Sequence, residues 1–153
     1  MKLIDRENLY KAFKDKFLWK SVKDWVYIQC VSLSKYYAKE VFWVSLWSFG
    51  WSAFSWFENK SKTFDITKWK KVDYIKWFVW VPWDILFWQP INSNKYWHTA
   101  ICGVWSTEEK LVILEQNYIA ESSKDFWKWT GEAKITERVR NYNDLAWVWR
   151  FIW

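Results

Sequence analysis

Glycine is almost missing from this chain: its 153 residues hold three, where an ordinary domain of that length carries roughly eleven. Proline occurs twice, cysteine twice and histidine once. Two cysteines, Cys30 and Cys102, do not make a disulfide framework, and one of them reads as a free thiol with a task. One histidine and two scattered cysteines give no zinc-ligand spacing, so no metal is expected. No stretch of 18 or more residues is free of charge, and Met1-Lys2-Leu3-Ile4-Asp5-Arg6-Glu7 lacks the basic-then-apolar order of a secretory leader. Neither membrane insertion nor a signal peptide is therefore readable. Repeats, Pro/Gly/Ser linkers and low-complexity tracts are missing as well, which leaves one domain spanning residues 1–153 as the expectation, with 52% hydrophobic residues to build its core.

What is present in excess is tryptophan, 18 residues in all. Several stand where glycine belongs. In Val81-Pro82-Trp83-Asp84 the proline suits the second corner of a turn, and a type II turn then requires positive φ at Trp83. Trp43 follows an apolar-periodic run at the point where helices close on a left-handed residue. The stretches Trp127-Lys128-Trp129-Thr130-Gly131 and Ala146-Trp147-Val148-Trp149 have the same texture. The reading that fits is a UGA codon written as Trp where the source inserts Gly; a chain rich in genuine Trp is the alternative.

Residues 5 to 18 set Leu9, Phe13 and Phe17 at helical spacing, and a second helix is expected from about Cys30 to Phe42 with Leu33, Tyr37 and Val41 inward. Residues 48 to 70 show no clear period and read as a long loop with one short helix. Short β-rich runs follow at Asp84–Trp88, His98–Val104, Leu111–Asn117 and Ile135–Val139. Helices first and strands after predict an α+β fold, with N-terminal helices packed on an antiparallel β-sheet.

The residues able to carry chemistry are few. Cys30 opens a helix, where exposed backbone N–H groups and the helix dipole favour a thiolate; a small buried hydrophobe is the other reading. His98 opens an alternating run that puts His98, Ala100 and Cys102 on one face, as a structural or a catalytic imidazole. Glu115 and Asn117 share a face on the next strand, where a carboxylate and an amide either orient that imidazole or end the strand in solvent.

Taken together, Gln29-Cys30-Val31-Ser32-Leu33, Pro82-Trp83-Asp84-Ile85-Leu86-Phe87, Tyr96-Trp97-His98-Thr99-Ala100-Ile101 and Leu114-Glu115-Gln116-Asn117 resemble the CHAP family, the cysteine, histidine-dependent amidohydrolase/peptidases of phage lysins and bacterial cell-wall hydrolases. With glycine in place of the doubtful Trp the segments become P-G-D-I-L-F and Y-G-H-T-A-I, and Trp19 to Trp25 becomes G-K-S-V-K-D-G; Trp69 and Trp88 are the two best kept as Trp. The resemblance runs from about Leu18 to Trp153. It implies a papain-like fold in which Cys30 is the nucleophile, His98 the general base and later acid, and Glu115 the group orienting the ring. Asn117 would share that task, and Gln29 would supply an oxyanion donor beside the Cys30 amide. The implied activity is hydrolysis of a peptidoglycan amide through a thioester, as an N-acetylmuramoyl-L-alanine amidase or a stem-peptide endopeptidase, by a monomer made in the cytoplasm and released or exported to the wall.

Some lysins of this family bind calcium before the nucleophile through several Asp, but Val22-Lys23-Asp24-Trp25-Val26-Tyr27 offers one acid and a Lys, so no calcium and no other cofactor is expected. Cys102 reads as a core thiol. The net charge of +6 comes from 23 basic residues, of which Arg6, Arg138, Arg140 and Arg150 are the only arginines. That balance suits an anionic polymer such as peptidoglycan with its wall partners, or serves solubility alone. No fingerprint for nucleic acid accompanies it. Two other readings stay open: a catalytically inactive wall-binding or structural module, and an NlpC/P60-type cysteine peptidase, which usually places Asp before its Cys where this chain has Gln29.

Overall fold

A computed structural model describes residues 3–22, 30–46, 53–58, 64–72, 81–89, 97–116, 134–140, 142 and 145–152. Helix α1 runs over Leu3–Phe17, α2 over Cys30–Phe42 and α3 over Ala53–Glu58, followed by strands β1 (Trp69–Val72), β2 (Ile85–Trp88), β3 (His98–Cys102), β4 (Leu111–Glu115), β5 (Thr136–Arg140) and β6 (Leu145–Phe151). The expected α+β architecture is present. The strands form one sheet in the order β1-β6-β2-β3-β4-β5, with every neighbour antiparallel.

The apolar period of α2 buries Leu33, Tyr37, Ala38 and Val41, the face expected from its sequence. On α1 the inward residues are Tyr10 and Phe13, whereas Leu9 stands exposed. The phenol of Tyr10 reaches Glu137 Oε1 at 3.0 Å, and that hydrogen bond lets a polar aromatic occupy the buried stripe. Phe13 meets Tyr37 edge-on at 4.7 Å between ring centroids, which ties α1 to α2. Alternation along the strands divides the sheet into two layers. Ile85, Phe87, Ile101, Leu114, Trp149 and Phe151 face the helices, while Leu86, Trp88, Ala100, Cys102, Leu111, Ile113 and Val148 form a second cluster on the opposite face.

Two strands depart from the expectation. The stretch 145–151 is β6, central in the sheet and paired with both β1 and β2, so Trp147 and Trp149 lie within a strand and not at a turn. Residues 48 to 70 end in the start of β1 and contain α3. Both differences have one cause: aromatic side chains at alternate positions satisfy a sheet as readily as a loop, and the partners that decide the matter are far away in sequence.

Among the described residues four non-glycine residues have φ in the left-handed region, and all four are tryptophan: Trp19 at 65°, Trp43 at 60°, Trp83 at 101° and Trp105 at 74°. Trp83 is the third residue of the turn closed by Asp84 N–H to Val81 O at 3.1 Å. Trp43 closes α2, with Trp43 N–H on Lys39 O at 3.1 Å and Val44 N–H wrapping back to Ala38 O at 3.2 Å. Trp19 follows α1 and donates to Ile135 O at 2.9 Å. A left-handed L-residue carries a penalty of roughly 1–2 kcal/mol because Cβ crowds the carbonyl oxygen. Trp43 is 89% exposed, Trp105 74% and Trp19 64%, so three of the four indoles stay largely exposed and gain little burial in exchange. Trp83 is buried, and its indole N–H has no hydrogen-bond partner. The described glycine, Gly103, serves a different need: a Cβ there would stand 2.6 Å from Tyr10 Oη and 3.1 Å from Val112 Cγ1.

Candidate active site

The site forms where the first residue of α2 meets the first residue of β3. Cys30 is buried and free of any disulfide. Its place at the helix start gives it the local N–H groups that have no intrahelical acceptor. The packing of α2 on β3 includes a buried hydrogen bond between Ser34 Oγ and Thr99 Oγ1 at 3.3 Å. Ser34 lies one helical turn beyond Cys30 and Thr99 directly follows His98, so this contact helps to hold the starts of α2 and β3 in register.

His98 is buried, and its Nε2 lies 3.1 Å from Glu115 Oε2 on the neighbouring strand β4. Burial disfavours the imidazolium, but hydrogen bonds with Cys30 and Glu115, reinforced by their charges, outweigh it and push His98 up to about 9. Glu115 is itself 1% exposed, so its charge must be met locally. Cys30, His98 and Glu115, drawn from three elements, are thus brought together. Gln29 and Asn117, the expected oxyanion donor and second orienting group, lie outside the described residues, as does 23–27 of the loop weighed for calcium. Among the described residues no group of three His, Cys, Asp or Glu could hold a metal ion.

Three further features were not read from the sequence. Gln116 turns to the helix side of β4, where its amide oxygen accepts from Val22 N–H at 2.8 Å and its amide nitrogen donates to Val22 O at 2.8 Å. It fastens to β4 the segment that leads towards Cys30. Arg138 Nε lies 3.3 Å from Glu115 Oε1, and Arg140 Nη1 lies 3.9 Å from Glu115 Oε2. Trp88, paired with His98 in the β2–β3 ladder, puts its ring centroid 6.1 Å from the imidazole and 4.6 Å from Arg140 Cζ. The available signal was the two-residue spacing of Arg138 and Arg140 in a chain with so few arginines.

Cys102 shares the His98 face of β3 but lies at its far end, fully buried, with Sγ 3.6 Å from Ser106 Oγ. Burial pushes its thiol well above the usual range, which suits a core thiol.

No family model matches the chain, and no curated protein matches it by sequence. Among solved structures it is similar to the wild-type endolysin LysIME-EF1, with a TM-score of 0.61 and 16% identity over 98% of this chain and 64% of that one. It is also similar to Ly7917 with the hydrolyzing product of MDP, with a TM-score of 0.60 and 16% identity over 99% of this chain and 63% of that one. The chain therefore spans somewhat under two thirds of the length of these structures, and the likeness is one of fold. Among the described residues no helix is long and apolar enough to cross a membrane.

Proposed function

We propose that this chain is a peptidoglycan hydrolase of the CHAP kind, cleaving a cell-wall amide through Cys30. The observation that carries the reading is the convergence of Cys30, His98 and Glu115, with the thiol at a helix start and the imidazole between thiol and carboxylate. That is the activated-nucleophile arrangement. The Cys30 thiolate attacks the amide carbonyl carbon, and the imidazolium of His98 delivers its proton to the departing nitrogen as the C–N bond breaks. His98, now neutral, takes a proton from water while the resulting hydroxide attacks the thioester, and collapse returns Cys30 and a carboxylate product. Glu115 orients the ring and stabilises its charged form. Gln29 and the Cys30 amide serve as oxyanion donors, which in comparable sites lower the barrier by about 3–4 kcal/mol, and Asn117 shares the orienting task. The likeness to endolysins, one of them holding the hydrolyzing product of MDP, supports peptidoglycan as the substrate. The whole of 1–153 serves as one catalytic domain acting on the wall as a monomer, without metal or cofactor.

The native residue at Trp19, Trp43, Trp83 and Trp105 is glycine, inserted at UGA. Tryptophan supplies 18 of 153 residues yet all four left-handed non-glycine positions among the described residues, which supports this reading. The intact mass of the protein from its source is then lower by one Trp-to-Gly difference per recoded site; a mass equal to that of the written sequence overturns it.

The test of function is mass analysis of soluble products from purified peptidoglycan treated with the chain, carrying glycine at those four positions, and with its Cys30→Ala variant. New amino termini that the variant does not release establish the Cys30 hydrolase, and the residue freed separates amidase from endopeptidase. No release by either protein overturns the reading in favour of a wall-binding module or a different amide.

A further inference from the structure

Each of the two buried carboxylates among the described residues is served by two of the chain's four arginines. Asp84 feels Arg150 and Arg6, and Glu115 has Arg138 and Arg140. No lysine takes either place in these ion pairs, although lysines outnumber arginines nearly five to one. At Glu115 the two carboxylate oxygens are met separately. Oε1 lies 3.3 Å from Arg138 Nε, whose N–H also points to Thr136 Oγ1 at 3.3 Å. Oε2 faces His98 Nε2 at 3.1 Å and Arg140 Nη1 at 3.9 Å. The Arg140 guanidinium is fixed in turn on the face of Trp88, the cross-strand neighbour of His98.

We propose that Arg138 and Arg140 are positioning residues that clamp the Glu115 carboxylate beside His98 and share its charge, so that the imidazolium gives up its proton more readily. The role rests on the hydrolase reading above, in which His98 loses its proton to the leaving nitrogen. A carboxylate whose charge is shared with two guanidinium groups draws that proton less strongly than one facing the imidazole alone. A guanidinium stays charged throughout and meets a carboxylate along a fixed edge, which explains arginine in place of the more abundant lysine.

The chain has a single histidine, so its ring resonance in a proton NMR titration belongs to His98 without assignment. In the full-length Cys30→Ala chain the charged groups of the described residues that face the His98–Glu115 pair are Arg138 and Arg140. Each repels the imidazolium, so removing them makes protonation of His98 easier. The Arg138→Gln, Arg140→Gln double variant is expected to titrate higher than its parent by about one pKa unit, and Arg138→Gln alone by less, with Arg138→Lys near the parent value. An unchanged or lowered midpoint in Arg138→Gln and the double variant overturns the proposal. Should the double variant fail to fold, Arg138→Gln carries the test, because that side chain is half-buried at the surface of the site. The titration needs no substrate and no Cys30, so its failure leaves the peptidoglycan assay untouched, and failure of that assay leaves the titration standing.

Discussion

Asp84 and Glu115 are equally buried at 1% exposure and both sit beside arginine, yet they are finished differently. Asp84 is closed: Arg150 donates from Nε to Oδ1 at 2.8 Å and from Nη2 to Oδ2 at 2.6 Å, and the Val81 N–H reaches Oδ2 at 3.3 Å. Burial raises its pKa against the pull of Arg150, whose own is raised in return. Glu115 is left incomplete: Oε1 has an ion pair but no aligned hydrogen bond, and Oε2 faces a group that can change its charge. Fixed partners make a carboxylate a fastening of the fold, whereas a titratable partner makes it part of a device.

The largest effect that separates the two belongs to the Glu115 side. Cys30→Ala or His98→Ala should remove amide release altogether, a loss of about 10⁴-fold or more, and Glu115→Ala should leave a trace. Product release per folded molecule checks this, and full activity in Cys30→Ala would break the comparison. Next comes Asp84→Asn, which leaves Arg150 without its anion and should cost about 3 kcal/mol of stability. Denaturant midpoints are expected to fall while turnover per folded molecule stays close to that of the parent; the opposite pattern would make Asp84 the functional acid. The smallest effect lies in pH. The His98 value of about 9 exceeds the ordinary 6.5 of an unfolded chain, so the folded state holds more protons between those values. The stability this supplies is complete below about 6.5 and is lost as pH rises through about 9. His98→Gln should flatten that slope in urea titrations across the window, and an unaltered slope would assign it to another group.

The parts of this arrangement legible in the sequence are those whose neighbours are local. Cys30 begins an apolar-periodic helix, His98 begins an alternating run, and Glu115 lies in the next one, so each could be placed on its element from a few residues on either side. The turn at Trp83 was equally plain, because Pro82 sets one corner and leaves the following residue needing positive φ. What escaped depends on long-range pairing. β6 lies between β1 and β2, 76 positions from β1 at its start, and nothing local marks Leu145–Phe151 as a central strand. Arg138 and Arg140 look like the solvated face of an edge strand until β5 is laid against β4, when Ile113 pairs with Arg138 and Leu111 with Arg140. Leu9 and Tyr10 exchanged places for the same reason, since the acceptor that admits Tyr10 to the interior is Glu137.

The paired hydrogen bonds of Gln116 with Val22 make a side chain act like one more rung of the sheet. Glu115 ends β4 and Gln116 directly follows it, one meeting His98 and the other holding the Val22 backbone. Any sliding of β4 along its neighbours would therefore carry both in step. The end of this one strand thus ties together contacts on both faces of the sheet, the imidazole on one and the Val22 backbone on the other.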